Sequence, residues 1–370
     1  MPGSVKPAPV LLLARELGIG GSERQVVETA KALDPGCFTP HVGCMREGFR
    51  CAELRAAGIA VMVFPVRSLY GPSAMAGAWQ LGRYLKHQNI RIVHAFDVPM
   101  DLFAIPTARL FGTPVVLSSQ RAFRDLTPGL PRRLLRFTDR MVDGIVVNAE
   151  AIRRHLIEDE SVPAGRIHLC YNGIDLTQFA ARPRAKRQEL TIGVICALRP
   201  EKDIATLLRA FARAQRPHWR LIIVGSGPTL TELQKLAGDL NLGQAVAFHP
   251  TTDQVPAWLH KIDIFVLPSL SEAFSNSLIE AMACGCTVVA SRVGGNPELV
   301  ISEKTGLLFE AGRSEDLAAA LTRLDGSDTL REQLAAGGAE FARSFSAAAA
   351  ARRMGEIYNG FLQGNSSHTV

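Results

Sequence analysis

Two carboxylates, Glu272 and Glu280, bracket a segment whose residue types could seat a phosphorylated sugar; it runs DIFVLPSLSEAFSNSLIEAMACGCTVVAS from Asp263 to Ser291. Ile264–Leu267 is a short apolar run ending at Pro268. Ser275 or Asn276 is placed to cap a helix whose apolar residues recur to Cys284. Gly285 stops that helix, and Thr287–Ala290 reads as the next buried strand. Glu272 then falls in the loop ahead of the helix and Glu280 just over one turn inside it, so both can face one cleft. Between them the amides of Phe274, Ser275, Asn276 and Ser277 form an unpaired helix N-terminus that suits a phosphate or a polarised hydroxyl. A carboxylate accepts two hydrogen bonds at once, so a Glu beside such a site suits a vicinal diol, as on a ribose or a hexose. The spacing also fits a capped amphipathic helix carrying two solvated glutamates.

The elements that must position these groups follow from length and periodicity. A chain of 370 residues is too long for one ordinary core and divides naturally into two domains. In the first half, β-rich runs near 10–14, 40–44, 60–64, 91–95, 114–118, 144–147 and 167–170 alternate with helical patterns, which predicts a doubly wound parallel sheet. Ser22 is expected to cap the first helix. The polar stretch RPRAKRQE, 182–189, reads as a linker, with the boundary near 185. The second half repeats the pattern with strands near 190–196, 219–224, 245–249, 264–267 and 287–290. The fold class is therefore α/β, with two Rossmann-like halves. Gly18-x-Gly20 follows a strand and opens a helix, but Glu23 occupies the place of a third glycine, where its charge would repel a dinucleotide pyrophosphate.

Glu272-Ala273-Phe274 followed by Glu280 resembles the E-x7-E motif of retaining glycosyltransferases of the two-Rossmann-domain GT-B architecture, the glycosyl transferases of group 1. Ala281-Met282-Ala283, Gly285, Val288-Val289-Ala290-Ser291, Gly294-Gly295, Glu298 and Thr305-Gly306-Leu307 fall in the order such enzymes show. Gly20-Gly21-Ser22-Glu23 is similar to their G-G-x-E start, and Asn172-Gly173-Ile174-Asp175 to their N-G-I/V-D turn. The resemblance implies that Glu280 grips the donor ribose and Glu272 the hydroxyls of the transferred sugar. Lys202 and Arg199 would hold the donor diphosphate, with Gly21 and the helix start at Phe274, Ser275 and Asn276 beside the donor. Many members carry an arginine five residues before that lysine, where this chain has Ala197. His94 matches the cleft histidine and would contact the donor sugar or the reacting centre. Gly20, Asp97 and Arg121 would border the acceptor. The last helix, 346–370, would pack back on the first domain, with Gly364–Val370 frayed.

The implied reaction moves a sugar from a UDP- or GDP-sugar to a hydroxyl acceptor with retention, in exopolysaccharide, lipopolysaccharide or glycolipid synthesis. A nucleotide-sugar epimerase of the same fold and a non-catalytic nucleotide-sugar binder remain as alternatives. No D-x-D occurs in the sequence, so neither a metal nor any cofactor beyond the nucleotide-sugar co-substrate is expected. Seven cysteines at irregular spacing argue against a disulfide framework and for a reducing compartment. The Cys284-Gly285-Cys286 pair reads as core packing. No run of eighteen apolar residues exists, and the opening residues lead into a first strand rather than a secretory signal, so the expected location is cytoplasmic. The net charge is +6. In 121–140 six arginines, from Arg121 to Arg140, outnumber Asp125 and Asp139, with Leu130, Leu134, Leu135 and Phe137 interleaved. That stretch reads either as a solvated helix face or as a patch for an anionic membrane, where a lipid-linked or saccharide acceptor could be met. No nucleic-acid partner is expected.

Overall fold

A computed structural model describes residues 6–18, 20–127, 129–182 and 189–366 of the chain. Contacts divide it into two units, Met1–Gly173 with Ala347–Val370, and Ile174–Ser346. The boundary expected near 185, and most of the expected linker, lie outside the described residues. The chain changes unit earlier because Ile174 already bonds to the second unit, its amide donating to Phe345 O at 2.9 Å.

The first unit holds a seven-stranded sheet of β1 (Ala8–Glu16), β2 (Phe38–Arg46), β3 (Ala60–Val63), β4 (Ile92–Ala95), β5 (Val115–Gln120), β6 (Gly144–Val147) and β7 (Ile167–Leu169). Its helices are α1 (Gly21–Ala32), α2 (Arg50–Ala56), α3 (Pro72–His87), α4 (Val98–Leu110), α5 (Leu130–Met141) and α6 (Glu150–Glu158). The second unit holds a six-stranded sheet of β8 (Leu190–Ile195), β9 (Trp219–Val224), β10 (Val246–His249), β11 (Ile264–Leu267), β12 (Thr287–Ser291) and β13 (Leu307–Phe309). Its helices are α7 (Ile204–Ala214), α8 (Leu230–Asp239), α9 (Val255–Leu259), α10 (Asn276–Ala283), α11 (Asn296–Leu299), α12 (Ser314–Asp325) and α13 (Asp328–Ala342). The final helix, α14 (Ala347–Ser366), belongs to the first unit.

All strand pairs within both sheets are parallel. Such strands are covered on both faces, which is why Val10–Ala14 and Ile264–Leu267 are apolar throughout and fully buried. The strand orders are β3-β2-β1-β4-β5-β6-β7 and β10-β9-β8-β11-β12-β13. Strand order therefore reverses between β1 and β4 and between β8 and β11, and ligands of open α/β sheets sit at the carboxyl ends of strands at such switch points.

Two local expectations change. Ser22 does not cap α1; Gly20 does, with no side-chain bond, and the Glu23 carboxylate folds back so closely that a Cβ at Gly20 would lie 2.0 Å from it. The tail is helical through Ser366, and the remainder of the segment expected to fray, 367–370, lies outside the described residues. Met354, Ile357 and Tyr358 of α14 are buried in the core of the first unit, because the helix covers one face of its sheet. The elements 292–345 have weak signals of their own: β13 is three residues long, and α13 carries Gly337-Gly338 in its interior, against helix propensity.

Candidate functional site

In the second unit Lys202 and Glu272 meet at the switch point, whereas Gly21 lies in the first unit. Lys202 ends the turn after β8, and Glu272 lies in the loop after β11, the strand beside β8. Lys202 Nζ donates to Glu272 Oε2 at 2.5 Å, the side chains being 20% and 13% exposed. Burial works against the charge on Lys202, but the adjacent Glu272 carboxylate outweighs it and holds the lysine pKa above its ordinary value. Burial likewise pushes the nearby Cys196 thiol up to about 12. Asp203 adopts φ 44° and accepts from Thr206 N and Oγ1, which caps α7 and fixes the chain direction immediately after Lys202. The amide of Leu270 donates to Glu201 O at 2.8 Å, tying the Glu272 loop to the Lys202 turn.

The helix after this loop forms as its residues require. Ser275 caps α10, accepting from Leu278 N at 3.3 Å, and Gly285 at φ 75° ends it in the left-handed region that favours glycine. Glu280 lies in the second turn and is 3% exposed. Asn276 is half-buried at the helix start, whereas the Phe274 ring is buried against Phe345 at 5.5 Å, so its side chain packs and only its backbone can serve a ligand. Arg199 is not drawn into the group: its side chain is 63% exposed and lies 3.9 Å from Glu201. Cys284 and Cys286 are both buried, the Cys286 thiol lying 3.3 Å from the carbonyls of Leu259 and Ile262.

The first unit carries the residues expected on the acceptor side. Asp97 follows β4 and caps α4, its carboxylate accepting from Met100 N at 2.9 Å and Arg15 N at 2.5 Å. Burial, aided by the nearby Glu23 charge and opposed by those two amides, lifts its pKa to about 6. Gly20 and Gly21 are exposed at the start of α1. Arg121 lies 5.4 Å over the Phe96 ring and donates to Asn172 Oδ1, while its Nε is buried with no partner. Burial lowers the Arg121 pKa to about 10.

His94 departs from expectation. It is fully buried inside the sheet, with Nδ1 2.8 Å from Tyr358 Oη and Nε2 2.9 Å from Ser119 Oγ. Burial, and the Arg121 charge after it, depress its pKa to about 3, so the ring is neutral. With both nitrogens engaged and no exposed edge, His94 joins β4 to β5 and α14.

The basic stretch is also partly spent within the fold. Arg124 is buried and pairs with both oxygens of Asp139, at 2.7 and 2.8 Å. Arg132 and Arg136 both bind the buried Glu160 carboxylate. Arg133 and Arg140 are exposed with no ion-pair partner among the described residues, beside Leu130 and Phe137, each 57% exposed. Among the described residues no helix is long and apolar enough to cross a membrane.

Comparisons with known proteins identify the family. The family described as "Glycosyl transferases group 1" matches residues 177–341, and "Glycosyltransferase Family 4" matches 19–178. A relative named D-inositol 3-phosphate glycosyltransferase, from Thermomonospora curvata, is 33% identical over 247 residues, 59% of this chain and 57% of that protein. The chain thus spans little more than half of that relative. A GDP-mannose-dependent alpha-(1-6)-phosphatidylinositol monomannoside mannosyltransferase of Mycobacterium tuberculosis is 32% identical over 291 residues, 72% of this chain and 74% of the relative. Among solved structures, HepE of Anabaena in complex with UDP and glucose superposes with a TM-score of 0.85 at 20% identity, covering 95% of this chain and 99% of its own. Both halves of the fold, the order of motifs along both units and these matches together make the chain a member of the group 1 glycosyltransferases of GT-B architecture.

Proposed function

We propose that this chain is a retaining, metal-independent hexosyltransferase that takes a UDP- or GDP-sugar as donor and a hydroxyl of a lipid-linked or saccharide molecule as acceptor. The observation that carries the reading is the Lys202–Glu272 pair at the β8/β11 switch point, with Glu280 in the second turn of the helix that follows. A lysine there neutralises charge developing on a departing diphosphate. Glu272 is placed to orient the transferred sugar, Glu280 the ribose, and the first amides of α10 supply further donors. Positioning and charge stabilisation then supply the rate enhancement.

The names of relatives support the substrate classes. HepE was solved with UDP and with UDP-glucose, and the mycobacterial relative is named for GDP-mannose and a phosphatidylinositol acceptor. A role in cell-envelope polysaccharide or glycolipid synthesis at the inner membrane surface fits these names, with Arg133, Arg140, Leu130 and Phe137 as the contact with anionic lipid. In this reading the second unit receives the donor, and Gly20, Asp97 and Arg121 of the first unit border the acceptor.

The test is a thermal-shift screen over UDP- and GDP-sugars, followed by assay of the stabilising donor with and without candidate acceptors. Stabilisation by a nucleotide sugar and acceptor-dependent release of nucleoside diphosphate are expected. Donor conversion without any acceptor, or binding without turnover against every acceptor class, would overturn the assignment as a transferase.

A further inference from the structure

Glu272 is held by more than its lysine. Its Oε2 accepts from Ser269 Oγ at 3.1 Å as well as from Lys202, and its backbone carbonyl accepts from Gly295 N at 3.2 Å. Ser269 is itself gripped from the neighbouring strand: Ser291 Oγ, at the end of β12, donates to Ser269 O at 2.5 Å. Asn296, at the start of α11, then donates from Nδ2 to Ser291 O at 3.0 Å. Ser269, Ser291 and Asn296 are fully buried. The result is a polar chain, Asn296 to Ser291 to Ser269 to Glu272 to Lys202, that stitches the loop after β12 to the loop after β11 and ends on the ion pair.

Two details separate this chain from ordinary packing. Asn296 Oδ1 is buried without a partner, an unfavourable arrangement that an aliphatic side chain filling the same space would avoid. Both bonds to the Glu272 side chain fall on Oε2, so among the described residues Oε1 has no partner and stands as the acceptor left for a ligand hydroxyl. A carboxylate with two rotatable bonds beyond Cβ would otherwise swing and exchange its oxygens. The Ser269 hydroxyl bond opposes that swing, and Ser291 and Asn296 tether the Ser269 and Ser291 backbone carbonyls in turn.

We propose that Ser269, Ser291 and Asn296 are positioning residues that lock the Glu272 carboxylate so that Oε2 secures Lys202 and Oε1 is presented to the transferred sugar. The presentation to sugar rests on the proposed function; the lock on Lys202 does not. The two are therefore tested separately.

The first measurement is the apparent pKa of Lys202, read by competitive acetylation and mass spectrometry across pH. Ser269→Ala should lower it toward the value in Glu272→Gln, and each unit lost exposes about tenfold more neutral amine at a given pH. Ser269→Thr, which keeps the hydroxyl, should restore the wild-type profile. Ser291→Ala should act in the same direction, more weakly, and serves if Ser269→Ala does not fold. The second measurement is steady-state kinetics with the donor found by thermal shift. The alanine variants should lose roughly 10- to 100-fold in kcat, as expected for a misplaced contact, while binding of free UDP or GDP stays within twofold. Unchanged Lys202 acetylation in folded Ser269→Ala and Ser291→Ala overturns the lock. Changed acetylation with unchanged kcat overturns the presentation of Oε1. If the wild-type chain turns over no nucleotide sugar, the functional reading fails, and the acetylation profiles still decide the lock.

Discussion

Acid should destabilise the first unit through His94, whose burial depresses its pKa. A free imidazole titrates near 6.5, whereas burial against Tyr358 and Ser119 holds this ring at about 3. The folded pKa is depressed, so the unfolded chain gains the proton first. Stability is complete above 6.5 and is lost as pH falls from there toward 3. At pH 5 the unfolded state is favoured by 1.5 pH units of protonation, about 2 kcal/mol at roughly 1.4 kcal/mol per unit. For a unit of this size that corresponds to a fall in Tm of roughly 4 to 8 °C between pH 7.5 and pH 5. Carboxylates titrate in the same window, so the informative quantity is a difference. His94→Gln, whose amide can still face both hydroxyls, should lose about 2 kcal/mol less than wild type over that interval in urea unfolding monitored within the first unit. Equal acid sensitivity in the two proteins would refute the reasoning, because it would mean that His94 takes up its proton in the folded state as readily as in the unfolded one.

Other consequences are equally measurable. Glu280→Gln should weaken sugar donor and free nucleotide alike by about tenfold, since a ribose contact is common to both, whereas Glu272→Gln should lower turnover and spare free-nucleotide binding; isothermal titration with UDP or GDP separates them. Transfer activity should survive excess EDTA, and a loss restored specifically by Mg²⁺ or Mn²⁺ would contradict diphosphate neutralisation by Lys202 and helix amides. Wild-type protein should float with anionic liposomes at low salt and sediment free of them at 1 M, where the screening length falls to about 3 Å. Arg133→Gln with Arg140→Gln should remove roughly 2 kcal/mol of that attachment, whereas Arg132→Gln should destabilise the fold by leaving Glu160 short of a partner.

The parts of this molecule that were legible in its sequence are those decided within a dozen residues. The strand Ile264–Leu267, the Ser275 cap, the Glu280 position and the Gly285 stop each follow from neighbours along the chain. The parts that escaped were decided across it. His94 sits at a strand end where a ligand group is plausible, but its fate is set by Tyr358, 264 positions later. Arg132 and Arg136 look free beside one another until Glu160, on the segment after α6, folds beneath them. Ser291 belongs to a motif visible in sequence, yet nothing local says that its hydroxyl bonds sideways to Ser269. Ser22 has the residue type of a cap, but α1 starts one residue earlier with Gly20 as its cap, and the Glu23 carboxylate occupies the space over Gly20.

The return of α14 to the first unit sets an order on birth. A ribosome delivers β1 through β7 first, then the whole second unit of 173 residues, 346 less 173, before it delivers Tyr358. At about 5 to 20 residues per second that interval lasts on the order of 10 to 30 seconds. Throughout it the nascent sheet has strands but lacks its covering helix, with His94 Nδ1 unpaired and the face that Met354 and Ile357 will bury still wet. The second unit suffers no such delay, since it is one uninterrupted segment, Ile174–Ser346. The unit made first is therefore the one completed last, and it is the one for which a chaperone has something to hold.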